Sequence, residues 1–241
     1  MEKINIMSLP IFFEEELSID ASFTLSEDTS KHIIQVLRMK NGEQLQLTNG
    51  KGKIITAQII QGNKRVTSVK VISTANIPHR TSNITIAISL IKNNSRFEWF
   101  LEKATETGVS EIIPLICERT EKQNFRHDRM KNILVSAMLQ SQQAWLPILH
   151  EPAKFKEVIK DSTKQNKYIA HCIEEQRKQL SDETINQSSI ILIGPEGDFT
   201  KEEVDLAVTN NFIPVSLGTT RLRTETAGIV AGILLNQNNI N

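Results

Sequence analysis

Apolar and polar positions change rhythm once along this chain, near residue 83. Before that point short runs alternate with period two. Leu45 and Leu47 stand among polar neighbours, residues 54–60 make a second run, and Val69 and Val71 a third. Asn49-Gly50-Lys51-Gly52 and Gly62-Asn63-Lys64-Arg65 separate them. Alternation bounded by glycine turns predicts paired strands, and strands at this short spacing predict a small β-barrel. One helical stretch interrupts it: residues 28–37 place Ile33, Ile34 and Leu37 on one face.

After residue 83 strands alternate with helices. Residues 84–90 read as a strand. Ser95 with Glu98 reads as a capping box, and Phe97, Phe100, Leu101 and Ala104 as the helical stripe behind it, closed by Gly108. A strand follows at 111–116. A helix at 128–144 turns Met130, Ile133, Leu134, Ala137 and Met138 inward. Phe155, Val158 and Ile159 mark a short helix, and residues 167–172 another strand. Ser189–Ile193 is an apolar, β-branched run, the pattern of a strand buried on both faces. Thr200 and Glu203 form a second capping box, ahead of Val204, Ala207 and Val208. Residues 213–217 are the last strand. Thr224 is placed to cap a final helix that carries Ala227, Val230, Ile233 and Leu234 inward. Such alternation predicts an α/β domain with a mostly parallel sheet and helices on both faces. The expected division is residues 1–73 as a β-rich domain, 74–82 as a linker containing Pro78, and 83–241 as the α/β domain.

Two polar loops leave the ends of the late strands: Gly194-Pro195-Glu196-Gly197-Asp198-Phe199, and residues 217–227 with Arg221 and Arg223. Parallel strands deliver such loops to one edge of the sheet, where ligands of open α/β folds bind. Neither loop matches a dinucleotide or P-loop fingerprint. Each alone is compatible with an ordinary turn and solvated arginines.

Composition narrows the picture. The 241 residues hold 28 Lys and Arg against 28 Asp and Glu, so net charge gives no general pull toward polyanions and only a local basic surface can do so. No apolar run is long enough to cross a membrane. The N-terminus shows no signal-peptide pattern, and Met7 is an alternative start. Cys117 and Cys172, both in expected strands, read as small core residues, which fits a reducing cytoplasm. No clustered His, Cys and Asp set suggests a metal.

Taken together, Gly194-Pro195-Glu196-Gly197 before a capped helix and Leu217-Gly218…Leu222-Arg223-Thr224-Glu225-Thr226-Ala227 some twenty residues on resemble the SPOUT superfamily of RNA methyltransferases. Within it they are most similar to the ribosomal RNA small subunit methyltransferase E family. His32 to Arg38 with Asn41-Gly42-Glu43, Leu90-Ile91-Lys92, residues 102–115, Gln140-Ser141 and Leu146-Pro147 extend the likeness over nearly the whole chain. Departures are Thr107 where Leu is usual, Gln143 where a cation is expected, and Thr220 where Arg is common, with Arg221 displaced by one.

The resemblance implies a PUA-like RNA-binding first domain and a second domain tied in a deep trefoil knot. It also implies a homodimer paired through the knot region, and S-adenosylmethionine (SAM) as methyl donor without a metal. Gly228 and Gly232, four apart on the last helix, serve either that dimer or packing against the chain's own sheet. Ile193, Gly194, Pro195, Glu196, Gly197, Leu217, Gly218, Leu222, Thr226 and Ala227 are the expected cofactor residues. The acceptor would be N3 of a uridine in 16S rRNA of the 30S subunit. Arg223 would stabilise charge developing on the base, and Glu225 would act as base or as a clamp on Arg223. His32, Arg38, Lys92, Arg119, Arg126 and Arg129 are candidates for RNA contact, with Lys122 in the same cationic run; solvated loops, or an ordinary core or capping histidine, are the competing readings. The alternative function is a non-catalytic rRNA-binding or ribosome-assembly module of the same fold.

Overall fold

The computed structural model describes residues 9–18, 20–79, 83–121, 124–172, 178–183 and 188–237. The alternative start at Met7, Lys122 and the end of the expected linker (80–82) lie outside them. The chain divides into two compact units, residues 1–79 with 138–146, and 80–137 with 147–241.

The first unit is built on β1 (Ile11–Phe13), β2 (Ser22–Thr24), β3 (Gln44–Thr48), β4 (Lys53–Gly62) and β5 (Thr67–Asn76). They form one sheet in the order β1-β3-β4-β5-β2, antiparallel except for β1 with β3. Leu45, Leu47, Ile55, Ala57, Ile59 and Val69 fill its core, as period-two alternation requires. The helical stretch is α1 (Glu27–Lys31), capped by the Ser26 hydroxyl and continued by a π-helical turn over His32–Val36. That wider turn buries Ile33 but leaves Leu37 exposed, against expectation. β5 runs on to Asn76, past the boundary expected at residue 73, because β4 is long enough to pair Lys53 with Asn76.

The segment 138–146, expected in the α/β domain, folds with this first unit. Gly52 N–H donates to the Ala144 carbonyl at 2.9 Å, Leu146 N–H to Gly50 at 2.8 Å, and the Trp145 indole to Ile77 at 3.1 Å. Such pairing across ninety residues has no local signature.

The second unit holds β6 (Ile84–Ser89), α2 (Asn94–Glu106), β7 (Glu111–Ile116), α3 (His127–Gln140), β8 (Ile148–Leu149), β9 (Ala153–Lys154), α4 (Phe155–Asp161), β10 (Asn166–Ala170), β11 (Lys178–Gln179), β12 (Ser189–Ile193), α5 (Lys201–Thr209), β13 (Ile213–Ser216) and α6 (Thr224–Asn236). Its sheet has the order β11-β13-β10-β12-β6-β7-β8, with β9 also on β7, and its ladders are parallel. The central strands are buried on both faces. Ala87, Ile190 and Leu192 meet α4 and α5 through Phe155, Val158, Val204 and Ala207.

Ile86 and Ile88 face the other side, where α6 lies. A Cβ on Gly228 would stand 2.6 Å from the Phe100 ring and 2.9 Å from Ile88. The small-residue face of α6 therefore serves the chain's own α2 and β6, and the inward residues are Gly228, Ala231, Gly232 and Leu235. Ile233, expected inward, is exposed, as is Val208 on α5. The capping box of Thr200 and Glu203 is present in both directions. That of Ser95 and Glu98 is not: Asn93 caps α2 by accepting the Ser95 N–H at 2.9 Å, and Glu98 instead pairs with Arg129.

Candidate active site at the strand ends

β10, β12 and β13 run parallel and release their loops at one edge, around a cavity of about 670 Å³. The loop after β12 contributes Gly194, Pro195 and Glu196, and the loop after β13 contributes residues 217–223. A hydrogen bond joins them: the Thr224 hydroxyl donates to the Gly194 carbonyl at 3.0 Å in a buried position. Thr224 therefore is not the cap of α6. Arg223 occupies that position without a side-chain capping bond, and the threonine spans the two loops instead.

The first loop is locked by Asp198. Its carboxylate accepts from Cys172 N–H at 2.7 Å and Phe199 N–H at 2.8 Å, at a backbone φ of +63°. Cys172 is thereby exposed on the cavity wall beyond the end of β10, not buried in a strand as expected. Cys117 is buried, and burial, with the Glu203 charge, pushes its thiol far up. In the second loop Gly218 has φ +128° and its Cβ position faces open space on the cavity side, so only a residue without a side chain holds this backbone unstrained.

Most of the expected cofactor residues come together. Ile193, Gly194, Pro195, Glu196, Leu217, Gly218, Leu222 and Ala227 line the cavity, as does Arg223. Gly197, Thr226 and Glu225 do not. The Gly197 carbonyl turns to the Arg119 guanidinium, which donates to it at 2.6 Å. In the first turn of α6 the helical period sends Thr224 and Ala227 to the cavity and Glu225 and Thr226 elsewhere.

Glu225 is buried, and its partner is Arg96 on α2, with Nε 3.7 Å from Oε1, not Arg223. Its second oxygen, Oε2, is shielded from solvent and meets no hydrogen-bond partner among the described residues. Arg96 itself lines the cavity, so the wall carries the side chains of Arg96, Arg221 and Arg223. Arg96, His171, Cys172 and Asp198, none of them among the expected site residues, also line the cavity. The only signal for Arg96 was its place one turn into α2, after a strand that ends at the same edge.

The remaining cations are spread over the two units. Lys92 pairs with Glu121 at 2.8 Å, and its backbone N–H points to Glu196 at 3.4 Å. Arg129 grips Glu98 through two bonds, 2.7 and 3.0 Å, and that carboxylate raises its pKa. Arg126 is exposed just ahead of α3. In the first unit His32 is exposed and stacks edge-on against Phe12, while Arg38 sits in a left-handed turn at φ +55°. Among the described residues no group of three His, Cys, Asp or Glu side chains is arranged to hold a metal ion, and no helix is long and apolar enough to cross a membrane.

Comparison with known proteins agrees with this geometry. A family model described as RNA methyltransferase domain matches residues 78–236, and one described as RNA methyltransferase PUA domain matches 25–71. The chain is 28% identical over 228 residues to ribosomal RNA small subunit methyltransferase E of Rickettsia conorii, covering 92% of each. Among solved structures it is similar to a probable rRNA-methyltransferase from Porphyromonas gingivalis (37% identity, TM-score 0.90, 96% of this chain and 98% of that one). The Neisseria gonorrhoeae ribosomal RNA small subunit methyltransferase E bound to S-adenosyl methionine superposes with TM-score 0.87 at 28% identity, covering 95% and 98%. With two thirds of its length matched by one family model, the chain belongs to the RNA methyltransferase domain family.

Proposed function

We propose that this protein transfers a methyl group from SAM to N3 of a uridine in 16S rRNA. The observation that carries the reading is the convergence of the Gly194 and Gly218 loops, bonded to each other through Thr224, on one cavity of about 670 Å³. That volume suits a ligand of nucleoside size. The unhindered backbone at Gly218 and the apolar Ile193, Leu217 and Leu222 fit a molecule with a flat ring and polar edges. SAM supplies, when bound, an electrophilic methyl carbon on a sulfonium. Ile193, Gly194, Pro195, Glu196, Leu217, Gly218, Leu222 and Ala227 are the residues that would hold it. Gly197 acts from behind the wall, where its carbonyl accepts from Arg119, and Thr226 does not line the cavity.

The protein need not provide a nucleophile; orientation supplies much of the rate. Uridine N3 carries a proton, and once this leaves, negative charge spreads to O2 and O4. A guanidinium fixed near those oxygens stabilises it more in the transition state than in the ground state. Arg223, exposed on the cavity wall at the start of α6, has this task. Glu225 holds the second guanidinium, Arg96, from inside the fold. N3 is closed off in a base pair, so the target must be unpaired or flipped out. Arg119, Arg126 and the residues of the first unit, His32 and Arg38 among them, are assigned to the surrounding rRNA. Lys92 and Arg129, already paired with carboxylates, contribute less. The trefoil knot, a homodimer and a cytoplasmic location belong to the same proposal.

Calorimetric titration tests the site. One SAM bound per chain with micromolar affinity supports the enzyme; the absence of heat supports a binding module that holds rRNA without catalysis.

A further inference from the structure

The opposite edge of the same sheet, at the strand amino ends, holds a second cavity of about 530 Å³. Its floor is one row of the ladder: Ile190 pairs with Thr85, and Thr85 with Glu111. The next row up is the closed core around Leu192 and Ala87. Ile113 and Val158 complete an apolar lining.

Two features of this cavity call for a ligand. Thr85 is fully buried, yet its hydroxyl oxygen meets no hydrogen-bond partner among the described residues; the same holds for the Ser162 oxygen in the loop after α4. Both residues line the cavity. A buried hydroxyl left unpaired is costly in a strand core, where valine would have the same shape without a polar atom to satisfy. The second feature is charge. Glu111, Glu151, Glu157 and Asp161 line or rim the cavity against one lysine, Lys164. Lys164 is already committed, 2.7 Å from Glu111 and 3.0 Å from the Asn83 amide oxygen, and His150 Nε2 lies 3.2 Å from the other Glu111 oxygen. Glu157 accepts the Lys154 N–H. The other carboxylates lining the cavity are those of Asp161 and Glu151, both exposed, the latter with one oxygen 3.9 Å from His127 Nε2.

We infer that this cavity binds a small alkyl diamine. An ammonium group pairs with the carboxylates at the mouth, the methylene chain lies on Ile190, Ile113 and Val158, and the second amino group reaches the Thr85 and Ser162 hydroxyls. Anionic ligands are turned away by the same carboxylates. The inference is independent of the methyl-transfer reading, since the two cavities share no lining residue.

The test titrates the intact protein with 1,4-diaminobutane, followed by calorimetry and by backbone amide NMR shifts. Expected is saturable binding at one per chain, with shifts at Thr85, Glu111 and Ser162. Thr85→Val should weaken it roughly fivefold, the loss of one hydrogen bond. Thr85→Ser, which keeps the hydroxyl, should restore most of it. Asp161→Asn, at an exposed position that does not threaten folding, should weaken it roughly threefold. SAM titration of each variant should match the wild type. Absence of saturable binding, equal binding of butane-1,4-dicarboxylate, or affinity unchanged by both Thr85→Val and Asp161→Asn would overturn the proposal.

Discussion

At the scale of single residues, the site depends on side chains that reach across the sequence. Arg223→Ala removes the guanidinium from the cavity wall without touching the fold, because the residue is exposed and makes no capping bond. The expected result is a fall in kcat of about 10²-fold with SAM affinity within a factor of about three, since one oxyanion-type donor has that weight. Single-turnover rates together with SAM calorimetry check it. Cys172 lies on the cavity wall and is exposed, whereas Cys117 is buried with its thiol pushed up. Iodoacetamide should therefore label Cys172 alone in the folded protein, and saturating SAM should slow that labelling; peptide mass spectrometry reads both. The types of these residues were legible in the sequence; their partners were not. Glu225 beside Arg223 in the chain suggested a clamp between them, but a helix turns neighbours to different sides, and the partner came from α2. Asn93 took the cap expected of Ser95 because its amide oxygen accepts the Ser95 N–H, so the helix starts two residues earlier.

At the scale of elements, β12, α5 and most of β13 were legible because their signals are local: an apolar run, a capping box, a glycine. What local signals did not carry is how elements are held to each other. Thr224 looks like a cap and acts as a bolt between two loops. Thr224→Val should cost about 1 kcal/mol in urea unfolding and weaken SAM binding, because the Gly194 loop loses its tie. Gly228→Ala tests the seating of α6. Its Cβ would meet the Phe100 ring and Ile88 well inside contact distance, so the melting temperature should drop by the equivalent of about 1–3 kcal/mol despite alanine's better helix propensity.

At the far edge of the sheet, burial by itself pushes the Glu111 carboxyl up. The Lys164 ammonium and hydrogen bonds from Asn83 and His150 outweigh it and hold the group below the usual carboxylate range. A depressed folded value adds stability that is present above the unfolded pKa, near ~4.3, and is lost as pH falls through the lower folded value. The urea midpoint of Glu111→Gln should thus lie below that of the wild type at neutral pH, with the gap closing below about pH 4.

At the scale of the molecule, the two-part organisation was visible as a change of rhythm near residue 83, but the division is not a cut at one point. Residues 138–146 return to the first unit, held by backbone bonds to Gly50 and Gly52. No periodicity announces a segment whose partners lie ninety residues away. The family signal worked where pattern failed, because the two loops it joins are separated in sequence and adjacent in space. Methyl transfer to uridine is the claim on which the reading of those loops rests, and nucleoside mass spectrometry of 16S rRNA from cells lacking this protein tests it most directly. The account predicts that one 3-methyluridine disappears, returns with the wild-type chain and does not return with Arg223→Ala. Undiminished 3-methyluridine in the deletion strain would contradict it.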